Sequence, residues 1–177
     1  MKIIAIAAVT AGGKTTAVNG LKRKLKNAKS LHFDDYSFEG EVDDFHQWVL
    51  AGANYNVWNL KPFEDDIINI INSGKCEYLI LDYPFAYCHQ MIKKYIDVAI
   101  FIDTPLDIAL ARHILRDMGN SNGEEIRKEL KGYLKYARIG YEQMLKDILP
   151  SSDYIIDGSL DADKIVGELI KIIENIQ

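Results

Sequence analysis

Five short runs of apolar residues recur along the chain, and most are bounded by charged residues or glycine. Continuous apolar runs of about four to eight residues are typical of strands covered on both faces, as in a parallel sheet. The pattern therefore predicts five strands, at residues 3–9, 30–33, 77–83, 97–103 and 153–158.

Stretches with helical periodicity separate these runs. Their apolar residues recur at a spacing of about three to four positions, which places them on one face of a helix. The stretch that begins with Thr104 and Pro105 also carries a typical helix start. We predict helices at residues 14–27, 41–51, 63–73, 104–118, 123–149 and 161–176.

The alternation of strands and helices predicts a doubly wound α/β fold with right-handed crossovers. No repeat, low-complexity tract or linker divides the 177 residues, so we expect one domain over residues 1–177. The most loop-like stretch is GNSNGEE, residues 119–125. It joins two predicted helices, and the region 112–128 around it is a candidate lid.

Composition narrows the class of partner. The formal net charge of −5 argues against a broad basic surface for nucleic acid or anionic lipid. No stretch approaches the apolar length of a membrane span, and Cys76 and Cys88 fit reduced thiols better than zinc ligands. We expect a soluble, cytoplasmic protein with a small-molecule partner and no nucleic-acid or membrane partner; the sequence leaves the oligomeric state open.

The end of the first strand has the pattern of a phosphate-binding P-loop (Walker A motif), with Ala8 where G-x-x-x-x-G-K-[ST] has its first glycine. Alanine is tolerated there if its φ is negative, because only a positive φ demands glycine. In such a loop the helix N-terminus binds phosphate, the lysine reaches the β- and γ-phosphates and the next hydroxyl ligates Mg²⁺. The predicted nucleotide-binding residues are Thr10, Ala11, Gly12, Gly13, Lys14, Thr15 and Thr16.

Acidic residues at two strand ends favour a kinase. Asp34 and Asp35 follow the second strand, at the edge where open α/β sheets bind their ligands. A carboxylate there can accept the proton of an acceptor hydroxyl or hold water ligands of Mg²⁺. Asp82 ends an apolar run in the manner of a Walker B strand, and no Asn-Lys-x-Asp guanine reader is present. A small-molecule kinase is therefore favoured over a GTP switch or a mechanical ATPase.

Three further segments resemble those of uridine kinases and nicotinamide riboside kinases: FDDYSF, IDTPLDIALARHILRDM and YARIGYEQMLKDILPSSDYIIDGS. With the P-loop they stand in the family's order over nearly the whole chain. The resemblance implies a P-loop NTPase fold, three-layer α/β/α, with a five-stranded parallel sheet of order 2-3-1-4-5 and a helical lid. It also implies transfer of phosphate from ATP, with Mg²⁺, to a hydroxyl of an acceptor such as uridine, cytidine or nicotinamide riboside.

The resemblance also implies roles for individual residues. Asp34 would be the general base, Lys14 would hold phosphate, and Arg116 and Arg112 would neutralise the transferring phosphoryl group. The residues implied for Mg²⁺ are Thr15, Asp82 and Asp34.

The acceptor would lie among aromatic side chains, whose faces can stack on a base or a pyridine ring. The segment NVWNLKPFE resembles the family's acceptor segment and puts Asn59 in place of a sugar-contacting aspartate. The predicted acceptor contacts are Asp34, Tyr36, Trp58, Asn59 and Tyr83.

The chain departs from the family's pattern at several places. The family's paired arginines become Arg112-His113, its Glu-Gly becomes Asp82-Tyr83, and its arginine-rich lid becomes GNSNGEE, which has no arginine. Two alternatives therefore stay open: a kinase of a different small metabolite, and a nucleotide-binding regulatory protein with little kinase activity.

Overall fold

The structure, a computed structural model, describes residues 1–176. Five parallel strands form one sheet in the order β2-β3-β1-β4-β5, so the predicted strand order is confirmed. The strands are β1 (Lys2–Ala7), β2 (Ala28–His32), β3 (Tyr78–Asp82), β4 (Val98–Asp103) and β5 (Tyr154–Asp157).

Helices connect the strands and cover both faces of the sheet. In the part of the chain that the structure describes they are α1 (Lys14–Lys24), α2 (Phe45–Leu50), α3 (Lys61–Ser73), α4 (Gln90–Lys93), α5 (Leu106–Asp117), α6 (Gly123–Gly132), α7 (Arg138–Asp147) and α8 (Ala162–Asn175). Short 3₁₀ turns occupy Phe33–Asp35 and Tyr55–Val57, and a π-helical segment occupies Tyr133–Ala137.

Most predicted elements lie within a few residues of the observed ones, and three differ. The first strand ends at Ala7 instead of residue 9, because the chain already turns there to form the loop before α1. Helix α4, with four residues, is too short to show a periodic pattern. The long helix predicted at 123–149 is divided where α6 ends at Gly132 and the π-helical segment begins. Glycine at that junction weakens the helix locally.

Alternate residues of β1 face opposite sides of the sheet and enter two separate cores. Ile4 is fully buried in one core with Leu21 of α1 and Leu169 of α8. Ala5 is fully buried in the other core, with Phe63 of α3. The sheet is therefore covered on both faces, and the predicted three-layer α/β/α architecture is confirmed.

Two observations bear on the expectations from composition. Within residues 1–176, no helix combines the length and the apolar character needed to cross a bilayer. Cys76 is buried, Cys88 is half-buried, and both are free thiols.

Candidate active site

The chain between β1 and α1 forms a tight loop at the carboxyl edge of the sheet. Gly13 and Ala11 have φ angles of 97° and 56°, in the left-handed region. A Cβ on Gly12 would lie 2.8 Å from the carbonyl oxygen of Val9, which accepts the N–H of Gly12 at 2.9 Å. Ala8 is not among the described residues with a positive φ, so alanine fits where the pattern has glycine.

Helix α1 begins at this loop without a side-chain cap. Its N-cap is Gly13, and among the described residues no acceptor pairs with the N–H groups of Lys14, Thr15 or Thr16. Unpaired N–H groups and the positive end of the helix dipole favour an anion at this position. The predicted nucleotide-binding residues therefore form a loop shaped to receive phosphate.

Residues at the ends of β4 and β5 support this loop from behind. Thr104 is buried, and its hydroxyl donates to the carbonyl of Gly12 at 2.8 Å. Gly158 lies so close that a Cβ there would be 1.9 Å from the Thr104 hydroxyl oxygen. The guanidinium of Arg112 donates to the carbonyl of Gly158 at 3.0 Å. Arg112 thus lines the cavity with one of its donors bound to the backbone.

Beneath the loop, Lys14 forms an ion pair with Asp82, whose carboxylate is 2% exposed. The second carboxylate oxygen of Asp82 lies 3.0 Å from Nδ1 of His32. Burial acts to raise the pKa of Asp82. The charge of Lys14 and hydrogen bonds from Lys14, Thr15 and His32 outweigh that effect, so the pKa of this carboxyl lies below its usual value. Asp82 is therefore ionised near neutral pH.

Asp34 and Asp35 lie in the 3₁₀ turn that follows β2. Asp34 lines the cavity together with Arg116 of α5, whereas Asp35 is not among the lining residues. The guanidinium of Arg116 makes two hydrogen bonds of 2.7 Å with the carboxylate of Asp117. These bonds, and to a smaller degree the charges of Asp117 and Asp34, raise the pKa of Arg116. Asp34 and Arg116 thus face the same space with opposite charges.

One cavity of about 850 Å³ joins the loop to the turn that carries Asp34. Sites for small molecules commonly have volumes of about 300–1,000 Å³. Thr10 to Thr16 line one end, and aromatic side chains line the other. We refer to these side chains as the aromatic wall: Phe33, Tyr36, Trp48, Tyr55, Trp58 and Phe85.

Most polar atoms of the aromatic wall are bound within the protein. The hydroxyl of Tyr36 donates to Asp66 at 2.7 Å, and that of Tyr55 donates to Asp147 at 3.2 Å. The indole N–H of Trp48 donates to a backbone carbonyl at 3.1 Å. The wall therefore offers mainly ring faces and edges to a ligand.

Two residues predicted to contact the acceptor do not line this cavity. Tyr83 is fully buried, its ring stacks on that of Phe63 with centroids 5.6 Å apart, and its hydroxyl has no partner among the described residues. Asn59 is exposed, and its amide donates to the carboxylate of Glu39 at 3.3 Å. These two positions are corrections to the predicted acceptor contacts, since one side chain belongs to the core and the other to the surface.

Helix α7 contributes cavity residues that the sequence did not indicate. Tyr141 and Met144 line the cavity. Gly140 lets α7 approach α2 closely, because a Cβ on Gly140 would lie 3.2 Å from the ring of Phe45. Burial raises the pKa of Tyr141, and a hydrogen bond with Thr10 opposes that shift. The spacing of the tyrosines in this region predicts a packing stripe. Tyr141 and Thr10 line the same cavity, although they are too far apart in sequence for the pattern to show it.

Two of the three residues predicted to hold Mg²⁺, Thr15 and Asp82, fit that ion in its usual nucleotide-bound form, whereas Asp34 lines the cavity from the turn after β2. Within residues 1–176, no three histidine, cysteine or acidic side chains are grouped tightly enough to bind a metal by themselves. Mg²⁺ in such sites keeps several waters and takes one or two protein ligands together with phosphate oxygens. Thr15 follows Lys14 in the first turn of α1, where the N–H groups are unpaired, and Lys14 forms an ion pair with Asp82. A hydroxyl and an ionised carboxylate are thus placed together beside the phosphate loop.

Comparison with known proteins adds independent information about this site. No family model matches the chain. A uridine kinase of Borrelia duttonii (strain Ly) is 25% identical over 93% of this chain and 90% of its own length. The resemblance to uridine kinases is confirmed.

Solved structures of other kinases share the fold of this chain. A putative fructose transport system kinase from Silicibacter sp. TM1040 has a TM-score of 0.62 at 13% identity, over 88% of this chain and 89% of that one. The deoxyadenosine kinase of M. mycoides has a TM-score of 0.51 at 16% identity, over 98% of this chain and all of that one (100%). The P-loop kinase fold is therefore common to all three. Together with the uridine kinases, these proteins support a P-loop kinase of a small molecule.

Proposed function

We propose that this protein transfers the γ-phosphoryl group of ATP, with Mg²⁺, to a hydroxyl of a nucleoside-like acceptor of the uridine, cytidine or nicotinamide riboside type. The observation that carries the proposal is that the phosphate loop, Asp34 and the aromatic wall line one cavity. Phosphoryl transfer depends chiefly on holding donor and acceptor in line and on neutralising charge. A single domain over residues 1–177, with a lid at about residues 112–128, would enclose both substrates.

The donor half consists of the loop and the first turn of α1. The N–H groups of Lys14, Thr15 and Thr16 and the ammonium of Lys14 would hold the β- and γ-phosphates, as in other P-loops. Thr15 and Asp82 would hold Mg²⁺, which supplies charge neutralisation at the phosphate oxygens. Lys14 must then exchange its contact with Asp82 for a contact with phosphate.

The acceptor half begins at Asp34, whose carboxylate would take the proton of the attacking hydroxyl. A positioned general base contributes about 10²–10⁴-fold to a rate. Arg116 and Arg112 line the same cavity and would neutralise charge on the transferring group. For Arg116 this means sharing its guanidinium between Asp117 and the phosphoryl oxygens.

The aromatic wall favours a flat, uncharged or cationic acceptor. Rings bound by aromatic faces gain both buried area and stacking energy. The acidic residues on this side of the cavity, Asp34 and Glu41, would repel a phosphate or carboxylate on the acceptor. Besides Lys14 of the phosphate loop, the cationic lining residues of the described chain are Arg112 and Arg116, both on α5.

The test is a screen for phosphorylated product over nucleosides, pyridine ribosides and small vitamins, followed by a matched pair of variants. Asp34→Asn should lower kcat by about 10²–10⁴-fold and leave ATP binding within about twofold, because the carboxylate is assigned to the acceptor proton. Asp35→Asn removes the neighbouring carboxylate, which does not line the cavity, and should change kcat by less than about threefold. Equal effects of the two changes would show that Asp34 is not the base.

A nucleotide-binding regulator is the second candidate. Two observations favour it: residues 119–125 carry no arginine, and Arg116 is engaged in two hydrogen bonds with Asp117. A regulator would bind ATP and give no phosphorylated product with any acceptor class. Its Asp34→Asn variant would behave like the wild type.

A further inference from the structure

His32 stands directly beside Asp82 on the neighbouring strand. Strands β2 and β3 run parallel, and their register pairs His32 with Asp82. Nδ1 of His32 lies 3.0 Å from Oδ2 of Asp82, while Oδ1 of the same carboxylate is bound by Lys14. The two oxygens of one buried carboxylate are therefore held by different partners.

We infer that His32 is a positioning residue, which holds the carboxylate of Asp82 in the orientation needed to take part in Mg²⁺–nucleotide binding. The inference rests on the proposed function, in which Asp82 helps to hold the metal. His32 acts through Asp82 and is not assigned any contact with substrate.

The hydrogen-bond chemistry of the cluster fixes how His32 is used. An ionised carboxylate only accepts hydrogen bonds, so Nδ1 of His32 must carry a hydrogen and donate it to Asp82. The other ring nitrogen, Nε2, lies 3.2 Å from the hydroxyl of Ser30, two residues earlier on the same strand. In the neutral ring Nε2 accepts from that hydroxyl, which favours the tautomer with the hydrogen on Nδ1. Ser30, His32 and Asp82 thus form a directed chain that ends at the carboxylate.

This chain becomes important when nucleotide binds. In the proposed complex Lys14 would leave Asp82 to reach the phosphates, and the carboxylate, which is 2% exposed, would exchange that cation for Mg²⁺. A buried carboxylate without a donor is strongly destabilised. His32 keeps its bond to Oδ2, so Oδ1 stays directed toward the place that Lys14 occupied. Partners of metal-holding side chains commonly change metal affinity or activity by about 10–100-fold when they are removed.

The experiment measures ATP affinity by calorimetry, with and without Mg²⁺ and without any acceptor, for the full chain. In His32→Leu, ATP affinity without Mg²⁺ should stay within about twofold, because the loop N–H groups are intact. The strengthening of ATP binding by Mg²⁺ should fall about 10-fold or more. In a separate assay with an acceptor found by the screen above, kcat should fall while KM for that acceptor holds. His32→Asn, whose amide can replace the Nδ1 donor, should recover most of both losses.

Two further variants keep the outcome interpretable. His46→Leu removes an exposed imidazole from α2, outside the cavity lining, and should match the wild type in every measurement. Ser30→Ala removes only the partner of Nε2 and should show a smaller loss in the same direction, which serves if His32→Leu melts too low to assay.

The possible results separate this inference from the proposed function. Suppose that the wild type binds ATP more tightly with Mg²⁺ than without it. If His32→Leu, or Ser30→Ala in its place, retains the full difference between these two affinities, His32 does not position Asp82. Equal losses with and without Mg²⁺ would also overturn the inference, since they would indicate damage to the loop. A wild type that binds no ATP, or gains nothing from Mg²⁺, would overturn the proposed function together with the inference.

Discussion

Replacing Gly158 by alanine is expected to loosen the phosphate loop from behind. The new Cβ would lie 1.9 Å from the hydroxyl oxygen of Thr104 and 2.8 Å from both its Cα and its Cβ. Rotation of the Thr104 side chain relieves the first contact and leaves the other two, so the backbone of β4 or β5 must shift. The rotation also removes the donor that the carbonyl of Gly12 accepts at 2.8 Å.

Both effects have known sizes. Overpacking of a filled site costs about 1–3 kcal/mol, and a buried carbonyl left without a donor costs about 1–3 kcal/mol. We therefore expect Gly158→Ala to lower the free energy of unfolding by about 2–6 kcal/mol. ATP affinity should fall as well, because Gly12 belongs to the loop that would hold phosphate.

Urea unfolding followed by circular dichroism measures the first effect, and calorimetry with ATP measures the second. Gly167→Ala is the matched control: a Cβ there meets no atom within 4 Å, and the residue lies inside α8. Alanine in a helix interior is more stable than glycine by about 0.5–1 kcal/mol, so the control should gain stability. A Gly158→Ala protein within about 0.5 kcal/mol of the wild type would refute the steric reasoning.

Three further predictions concern the core, helix α6 and the proposed metal site. Phe63→Ala should lower the free energy of unfolding by about 3–5 kcal/mol in urea titrations, because this ring is fully buried. Asn122→Ala removes the capping box of α6 and should destabilise that helix by about 1 kcal/mol. Relative to the wild type, amide exchange should become faster in residues 123–132 by more than it does in α8. Chelation of Mg²⁺ with EDTA should abolish phosphoryl transfer and leave the melting temperature of the ligand-free protein unchanged. Activity that survives EDTA would contradict the proposal that Thr15 and Asp82 hold Mg²⁺.

Local signals were enough to predict the sheet and the loop. The apolar runs locate all five strands, and the strand, turn and helix around Lys14 follow directly from the chain. The alternation of β3 also bears on one predicted contact: Leu79, Leu81 and Tyr83 belong to the same buried core, where the tyrosine ring packs against Phe33 and Phe85 of the aromatic wall instead of lining the cavity itself. Strand periodicity, applied one residue further, would have placed it correctly.

Other features depend on contacts between distant parts of the chain. The pairing of His32 with Asp82 is a matter of strand register, which no local pattern fixes. Tyr141 lines the cavity that contains the phosphate loop, on a helix whose Gly140 packs closely against Phe45 of α2. These arrangements arise from packing, and a single sequence carries no direct record of them.

The internal hydrogen bonds of the aromatic wall bear on how sharply the proposed kinase would separate one acceptor from another. An apolar pocket distinguishes substrates that differ by one methylene by about 10–200-fold, whereas a site built to hydrogen-bond a group rejects an analogue without it by about 10⁴–10⁵-fold. The hydroxyls of Tyr36 and Tyr55 and the indole N–H of Trp48 already donate hydrogen bonds within the protein. We therefore expect a broad acceptor range among rings of similar size. A substitution such as Asp66→Ala would free the hydroxyl of Tyr36 to bind an acceptor. One such change would then be a short evolutionary route from a kinase with a broad acceptor range to a selective one.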